Sequence, residues 1–265
     1  MFNRLLKPIV KYIPENNRVE RIWKLAQVDF KSRYYNDKLG LLWALIKPLF
    51  EVSVYFIVFK LLFNIQQENY AVFLFSGIIL WQLFAEISSR GMRLLHHKLY
   101  LIENIQLERI DLYISFTFSV LFGFLFNLLA LFIISVINGT FTLTNIIYLP
   151  IIILTMSFIS IGFALALSCI QPFIKDIHHG YDLVLMLGFW GSGIFFDSTL
   201  ITEKIQFIEY INPFIGIIAN FHAVILESYK INIPLLSYNL LYSILILILG
   251  LQIAKRLGGK AVEKL

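Results

Sequence analysis

Apolar runs of about 20 residues recur along this 265-residue chain, and each is long enough to cross the roughly 30 Å hydrocarbon core of a bilayer. Water-free surroundings oblige such a run to satisfy its backbone hydrogen bonds internally, so each is expected to be a helix. Six spans are expected, at roughly 39–63, 71–89, 110–137, 146–171, 181–196 and 235–254. The fifth, at about 16 residues, is short for a crossing and needs a neighbouring segment or a thinned bilayer. The composition agrees: 58% of residues are hydrophobic and 15% charged, against an apolar share of about 45–50% in soluble domains. The fold class is therefore an all-α polytopic membrane protein. It divides into a cytoplasmic N-terminal segment (1–38), a six-span domain (39–254) and a cytoplasmic tail (255–265).

Lys and Arg fix the expected orientation, because cytoplasmic loops retain them. Of the 22, 18 fall before span one, after spans two and four, or in the tail. Lys204 and Lys230 fall on the opposite side. Both termini are therefore expected in the cytoplasm, and the net charge of +5 reads as orientation rather than as nucleic-acid binding. Arg4, Lys7 and Lys11 surround only short apolar patches, so no cleavable signal peptide is expected. The single cysteine, Cys169, lies in an apolar run and reads as a small buried hydrophobe.

Three segments have character without spanning. Residues 18–35 form an amphipathic helix with Val19, Ile22, Trp23, Ala26, Phe30 and Tyr34 on one face, a pattern that Leu25 and Val28 disturb. Such a helix belongs in the membrane interface with its basic face toward headgroups or a partner. Residues 90–109 carry Leu95, Leu99 and Ile102 at helical spacing among charges, and read as a cytoplasmic surface helix that could dock a soluble protein. Residues 197–234, on the outer side, are broken by Asn212-Pro213-Phe214 and suggest a pair of short helices dipping into the membrane, shielded by protein.

Catalytic constellations are missing from the sequence. No G-x-x-x-x-G-K-[ST] occurs: the tail has Ala254 and Ala261 where the first glycine and the hydroxyl residue are needed. The pairs His96–His97 and His178–His179 are consecutive, so on a helix they diverge by about 100° and do not make a metal site. Intramembrane acids, the usual mark of an ion-coupled carrier, are confined to the shallow cytoplasmic positions Glu51 and Glu86. Aromatics are abundant, with 25 Phe, 13 Tyr and 4 Trp. Most belong to lipid-facing surfaces and interfacial belts. Others could line a path, since aromatic faces stack on the C–H faces of sugar rings and let a chain slide.

Within this frame "DFKSRYYNDKLGLLWALIKPLF" (29–50) resembles the entrance motif of the membrane subunits of ABC-2-type polysaccharide exporters, approximately R-D-x-x-x-R-Y-x-x-x-x-L-G-x-x-W-x-x-x-x-P. Asp29, Arg33, Tyr34, Leu39, Gly40, Trp43 and Pro48 match by position. "VFLFSGIILWQLFAE" (72–86), "LIENIQLERID" (101–111), "FIKDIHHGYDLVL" (173–185) and "INPFIGII" (211–218) resemble further family segments. Gln27 and Val28 replace frequent arginines, Lys175 stands where arginine is usual, and "GSGIFF" (191–196) replaces a proline-containing turn.

The resemblance implies a permease subunit of an ATP-driven exporter of a lipid-linked polysaccharide, such as O-antigen, capsule or teichoic acid, in the bacterial inner membrane. It implies a homodimer bound to two copies of a separate ATPase that holds ATP and Mg, the chain itself being neither an enzyme nor a cofactor protein. The substrate would be linked to an undecaprenyl-diphosphate type of lipid. Residues 18–35 become an interface or gate helix in which Arg33, Tyr34 and Lys31 meet the lipid diphosphate, guanidinium matching phosphate oxygens. Residues 90–109 become the coupling helix, with Arg93, Leu95, His96, Leu99 and Glu103 facing the ATPase. Trp43, Lys47, Pro48 and Glu51 mark the span-one entrance, where Lys47 and Glu51 share a face four residues apart. Asn212, Pro213 and Phe214 mark an outer re-entrant gate. The alternatives are an ABC-2-type exporter of a small molecule or drug, and a gradient-driven secondary carrier.

Overall fold

The computed structural model describes residues 17–34, 39–105, 107–141 and 143–265, without the side chains of 103–105 and 201. The basic N-terminal segment and Lys38 lie outside the described residues. The described elements are helices joined by turns. In order they are α1 (Arg18–Tyr34), α2 (Leu42–Phe56), α3 (Tyr70–Met92), α4 (Leu94–His97), α5 (Leu99–Ile105) and α6 (Arg109–Ile137). There follow α7 (Leu149–Ile170), α8 (Ile177–Gly191), α9 (Ser198–Thr202), α10 (Ile208–Ile211), α11 (Pro213–Ile225) and α12 (Ile233–Glu263). A π-helical turn, Ile57–Leu62, extends α2, and a 3₁₀ turn, Ile146–Tyr148, leads into α7.

Among the described residues, five helices are long and apolar enough to span: Leu42–Leu62, Tyr70–Met92, Arg109–Ile137, Ile146–Ile170 and Ile233–Glu263. The expected fifth span, 181–196, falls on α8 and the turn that follows it. α8 has 15 residues, a rise of roughly 22 Å, and stops at Gly191 short of a full crossing. Beyond it Gly193 takes a left-handed φ of +80°, which glycine adopts without a Cβ clash, and the chain turns back. Ile194 and Phe195 are thereby buried, and the Tyr70 hydroxyl donates to the Phe195 carbonyl at 3.0 Å. Residues 255–263 of the expected tail continue α12 as helix.

α3 is the central post, flanked by α2, α6, α7, α8 and α11. Its first three turns are almost wholly apolar, as a helix stretch enclosed by protein must be, and its last turns carry Gln82, Glu86 and Arg90. The tightest crossing joins α7 and α12, where a Cβ on Gly250 would lie 2.4 Å from the Gly162 carbonyl oxygen and one on Gly162 2.6 Å from that of Ile246. With no side chain at either position the backbones touch, the device by which membrane helices gain dispersion contact without a hydrophobic drive. Gly91 on α3 abuts Ala164 on α7 in the same way, at 2.6 Å for an added Cβ.

The outer segment holds three short helices rather than two. Asn212 starts α11, its side chain accepting from the Phe214 amide at 3.2 Å and donating to the Gly191 carbonyl at 2.9 Å. Pro213 at the first helical position loses no bond there. α11 is buried along most of its length.

Candidate functional site

The entrance region is built on α1. Expected as a helix in the interface plane, α1 lies along α6, with Leu25 and Ala26 as its buried residues. This corrects the helical-wheel reading, in which Leu25 interrupts the apolar face, while Val19 on that face is 76% exposed. Trp23 and Phe30 pack edge-on against Phe122 with centroids 5.4 and 5.9 Å away. Asp111, fully buried at the start of α6, accepts from Arg18 Nε at 2.9 Å and Arg21 Nη2 at 3.3 Å. Arg18 also pairs with Glu108 at 2.7 Å. Farther along, Asp29 pairs with Lys98, at the C-terminal end of α4. α1 is thus held at two points by carboxylate pairs and between them by aromatic contact.

This clamp delivers Arg33 and Tyr34 to a cavity. A Cβ at Gly123 would lie 2.6 Å from the Tyr34 hydroxyl, so the glycine makes room for the ring on α6. Arg33, only 8% exposed, reaches across to Glu86 on α3 at 3.0 Å, and Arg90 takes the same carboxylate oxygen at 2.7 Å. The Phe116 ring lies beside both guanidinium groups, at 5.9 and 5.8 Å. The cavity, about 500 Å³, is lined by Arg33, Tyr34, Trp43, Lys47, Pro48, Gln82, Glu86, Arg90 and Asn127, among others. Two nitrogens of Arg33, Nε and Nη1, are buried without an aligned hydrogen-bond acceptor, and Oδ1 of Asn127 is buried without a donor.

The structure brings together most of the expected entrance residues and rearranges the others. Lys31 is exposed and does not line the cavity. Pro48 lies inside α2 and leaves the Ala44 carbonyl without its usual donor. Glu51 accepts from Gln82 Nε2 at 2.8 Å, and among the described residues no ion pair joins it to Lys47. Glu86, Arg90, Gln82 and Asn127 carry no site role in the sequence reading. Glu86 and Glu51 were visible as acids inside apolar spans, a costly placement that points to a polar neighbour. Arg90 lies one turn along the same helix as Glu86, whereas Arg33 and Gln82 approach these acids from other helices.

The expected 90–109 surface helix is three pieces: the end of α3, α4 and α5. Arg93 and His96 are exposed, as is His97, whereas Leu95 is 1% exposed and Leu99 is half-buried. Leu95 therefore anchors α4 to the bundle and cannot face a partner. The Glu103 side chain lies outside the described residues. Though His97 is exposed, partial desolvation of its ring lowers its pKa, and repulsion from His96, Arg93 and Arg90 lowers it further.

Beyond the entrance cavity along α2, aromatic rings line the edge between α2 and α8. Tyr55 packs on Phe195 at 5.0 Å, Phe59 on Phe195 at 5.0 Å and Trp190 on Phe195 at 4.7 Å. Trp190 and Phe196 retain exposed faces, at 53% and 42%. Phe214 lies against Phe84 and Trp81, at 4.5 and 5.2 Å.

Comparison with known proteins adds the family. Residues 20–226 match the family model described as ABC-2 type transporter. The O-antigen export system permease protein RfbA of Klebsiella pneumoniae is 26% identical over 251 residues, covering 90% of this chain and 92% of that one. The protein of the same name from Myxococcus xanthus is 21% identical over 205 residues, 77% and 79% of the two chains. With the match spanning most of the helical bundle, the entrance cavity and the turn at Asn212, the chain belongs to the ABC-2 type transporter family and is a multi-pass membrane component of that transport machinery.

Proposed function

We propose that this chain is the permease subunit of an ATP-driven exporter of lipid-linked polysaccharide of O-antigen type, in the bacterial inner membrane. The observation that carries the reading is Arg33, a nearly buried cation with nitrogens lacking aligned acceptors at the wall of a cavity of about 500 Å³. A lipid diphosphate offers the oxygen acceptors that this guanidinium lacks. Glu86 holds Arg33, and an arriving phosphate competes with it, with Arg90 and Lys47 adding positive charge on the same wall. Tyr34, fixed by Gly123, borders the same space. The exposed aromatic edges from Tyr55 to Phe196 suit a sliding glycan, since they offer stacking without a fixed hydrogen-bond register.

In this reading the chain crosses six times with both termini cytoplasmic, the short α8 and its turn making the fifth pass. Two copies pair, and each binds a separate ATPase that holds ATP and Mg. The exposed α4 face, with Arg93, His96 and His97, is the contact, and movement there reaches Arg33 through the Lys98–Asp29 pair. The turn at Asn212, Pro213 and Phe214 closes the outer end. The names of the relatives support the glycan as cargo. Deleting the gene and measuring surface polysaccharide beside intracellular lipid-linked polysaccharide tests this. Loss of the first with accumulation of the second is expected, and unchanged surface polysaccharide in the deletion would refute it.

A further inference from the structure

A second polar cavity lies on the cytoplasmic face, apart from the entrance. It measures about 430 Å³ and is lined by Arg93 and His96 beside α4, Gln171, Lys175 and His178 around the α7–α8 turn, and Lys264 at the end of α12. Three chain segments far apart in sequence thus point cations into one cleft. In the entrance region Arg18, Arg21, Arg33, Arg90 and Lys98 all have carboxylate partners. Here, among the described residues, Arg93, Lys175 and Lys264 have no ion pair; Leu265 also borders the cleft, but no Asp or Glu side chain lines it.

The cleft is also shaped. Lys264 Nζ sits 4.8 Å from the Phe173 ring centroid, a cation–π contact that orients its ammonium. The His178 ring is held through Nδ1 to the Lys175 carbonyl at 2.8 Å, leaving Nε2 free to turn elsewhere. Like charges gathered without a partner repel, and an arriving anion relieves that repulsion.

We infer that this cleft receives acidic side chains of the ATPase subunit and adds an electrostatic lock to the contact made by α4. The inference rests on the proposed function. Two observations favour a protein occupant. Arg93 and His96 belong equally to the cleft and to the exposed α4 face, so a protein docked on α4 covers it. α12 runs 31 residues, roughly 46 Å, which matches a bilayer with its headgroups and puts Lys264 at the outer limit of the headgroup layer.

The test measures binding of the purified ATPase subunit to the full-length permease in nanodiscs of neutral phosphatidylcholine. Lys175→Glu with Lys264→Glu is expected to weaken Kd about tenfold or more, the scale of close interfacial charge pairs, and Lys→Gln at both positions to give a smaller loss. Wild-type binding is expected to weaken steeply as salt rises. Equal Kd for wild type and both variants, or a flat salt response, overturns the inference while leaving the exporter reading intact. If the reversed variant fails to fold, the Gln variant and the wild-type salt series decide. Failure of the ATPase to bind wild-type permease sinks both. An effect confined to discs containing anionic lipid assigns the cleft to headgroups and overturns the lock.

Discussion

Leu42–Leu62 and Tyr70–Met92 are matched in mean hydropathy, yet 78% of the most apolar stretch of the second is buried inside the protein and only 11% of the first. What separates them is the presence of small residues at the right places. The second carries Gly77 against Ile194, at 3.3 Å for an added Cβ, and Gly91 against Ala164. These let neighbouring backbones close around it, whereas the first presents Leu42, Phe50, Ile57, Leu61 and Leu62 outward. Hydropathy places a helix in lipid, and small residues choose its neighbours. The same division sets the glycine-sealed contacts of α3, α7 and α12 apart from the looser edge of α1 and α2, which faces α3 across the cavity and to which the proposed function is assigned.

The largest effect is expected where the backbones touch. Gly250→Leu forces a side chain into the Gly162 backbone and should cost about 3 kcal/mol or more, whereas Leu61→Ala on the exposed edge should stay within about 0.5 kcal/mol. Thermal unfolding of the two purified variants, read by tryptophan fluorescence, checks this, and equal losses would break the comparison. The next effect is at the clamp. Asp111→Ala leaves Arg21 half-buried without its carboxylate and should cost about 2–3 kcal/mol, discounted because Arg18 is half exposed. Limited proteolysis should cut α1 while the spans stay intact. Protection equal to wild type would show that aromatic packing on Phe122 alone holds α1.

How far the sequence exposed these features follows from their range. The apolar runs were visible because each span is a local property. Pro48 inside a helix was also readable, since a start there leaves too few residues to cross. Leu25, in contrast, looked like an error in the apolar stripe because the stripe was judged against lipid, whereas α1 has a protein neighbour in α6. The Lys47–Glu51 spacing leaves pairing or snorkelling open, and Gln82 on α3 takes Glu51. α8 was extended through residues 192–196 because they are apolar, and only the left-handed backbone at Gly193 reveals the turn. Arg33 was picked by motif, while its acceptor Glu86 lay 53 residues away in sequence.

A smaller effect concerns Glu86. Glu86→Gln removes one anion from the cavity wall and loosens Arg33, so binding of inorganic diphosphate to the purified permease should tighten a few-fold, as measured by calorimetry. Unchanged binding would separate Arg33 from the anion site. The smallest effect is at α4. His97 has a lowered pKa in the folded protein, so the unfolded chain binds more protons as pH falls through its ordinary value near 6.5. The sign is a local loss of stability on acidification, with full stability above that pH. Hydrogen exchange in 93–98 should rise modestly between about pH 7.5 and 5.5, and His97→Gln should flatten the response.

The most direct measurement is surface polysaccharide in cells carrying Arg33→Ala, compared at equal membrane abundance and equal melting temperature with wild type. If the loose edge carries function and the sealed bundle carries stability, the variant loses surface polysaccharide and accumulates its lipid-linked precursor while remaining folded. Wild-type surface polysaccharide in a stably folded Arg33→Ala protein would contradict the account.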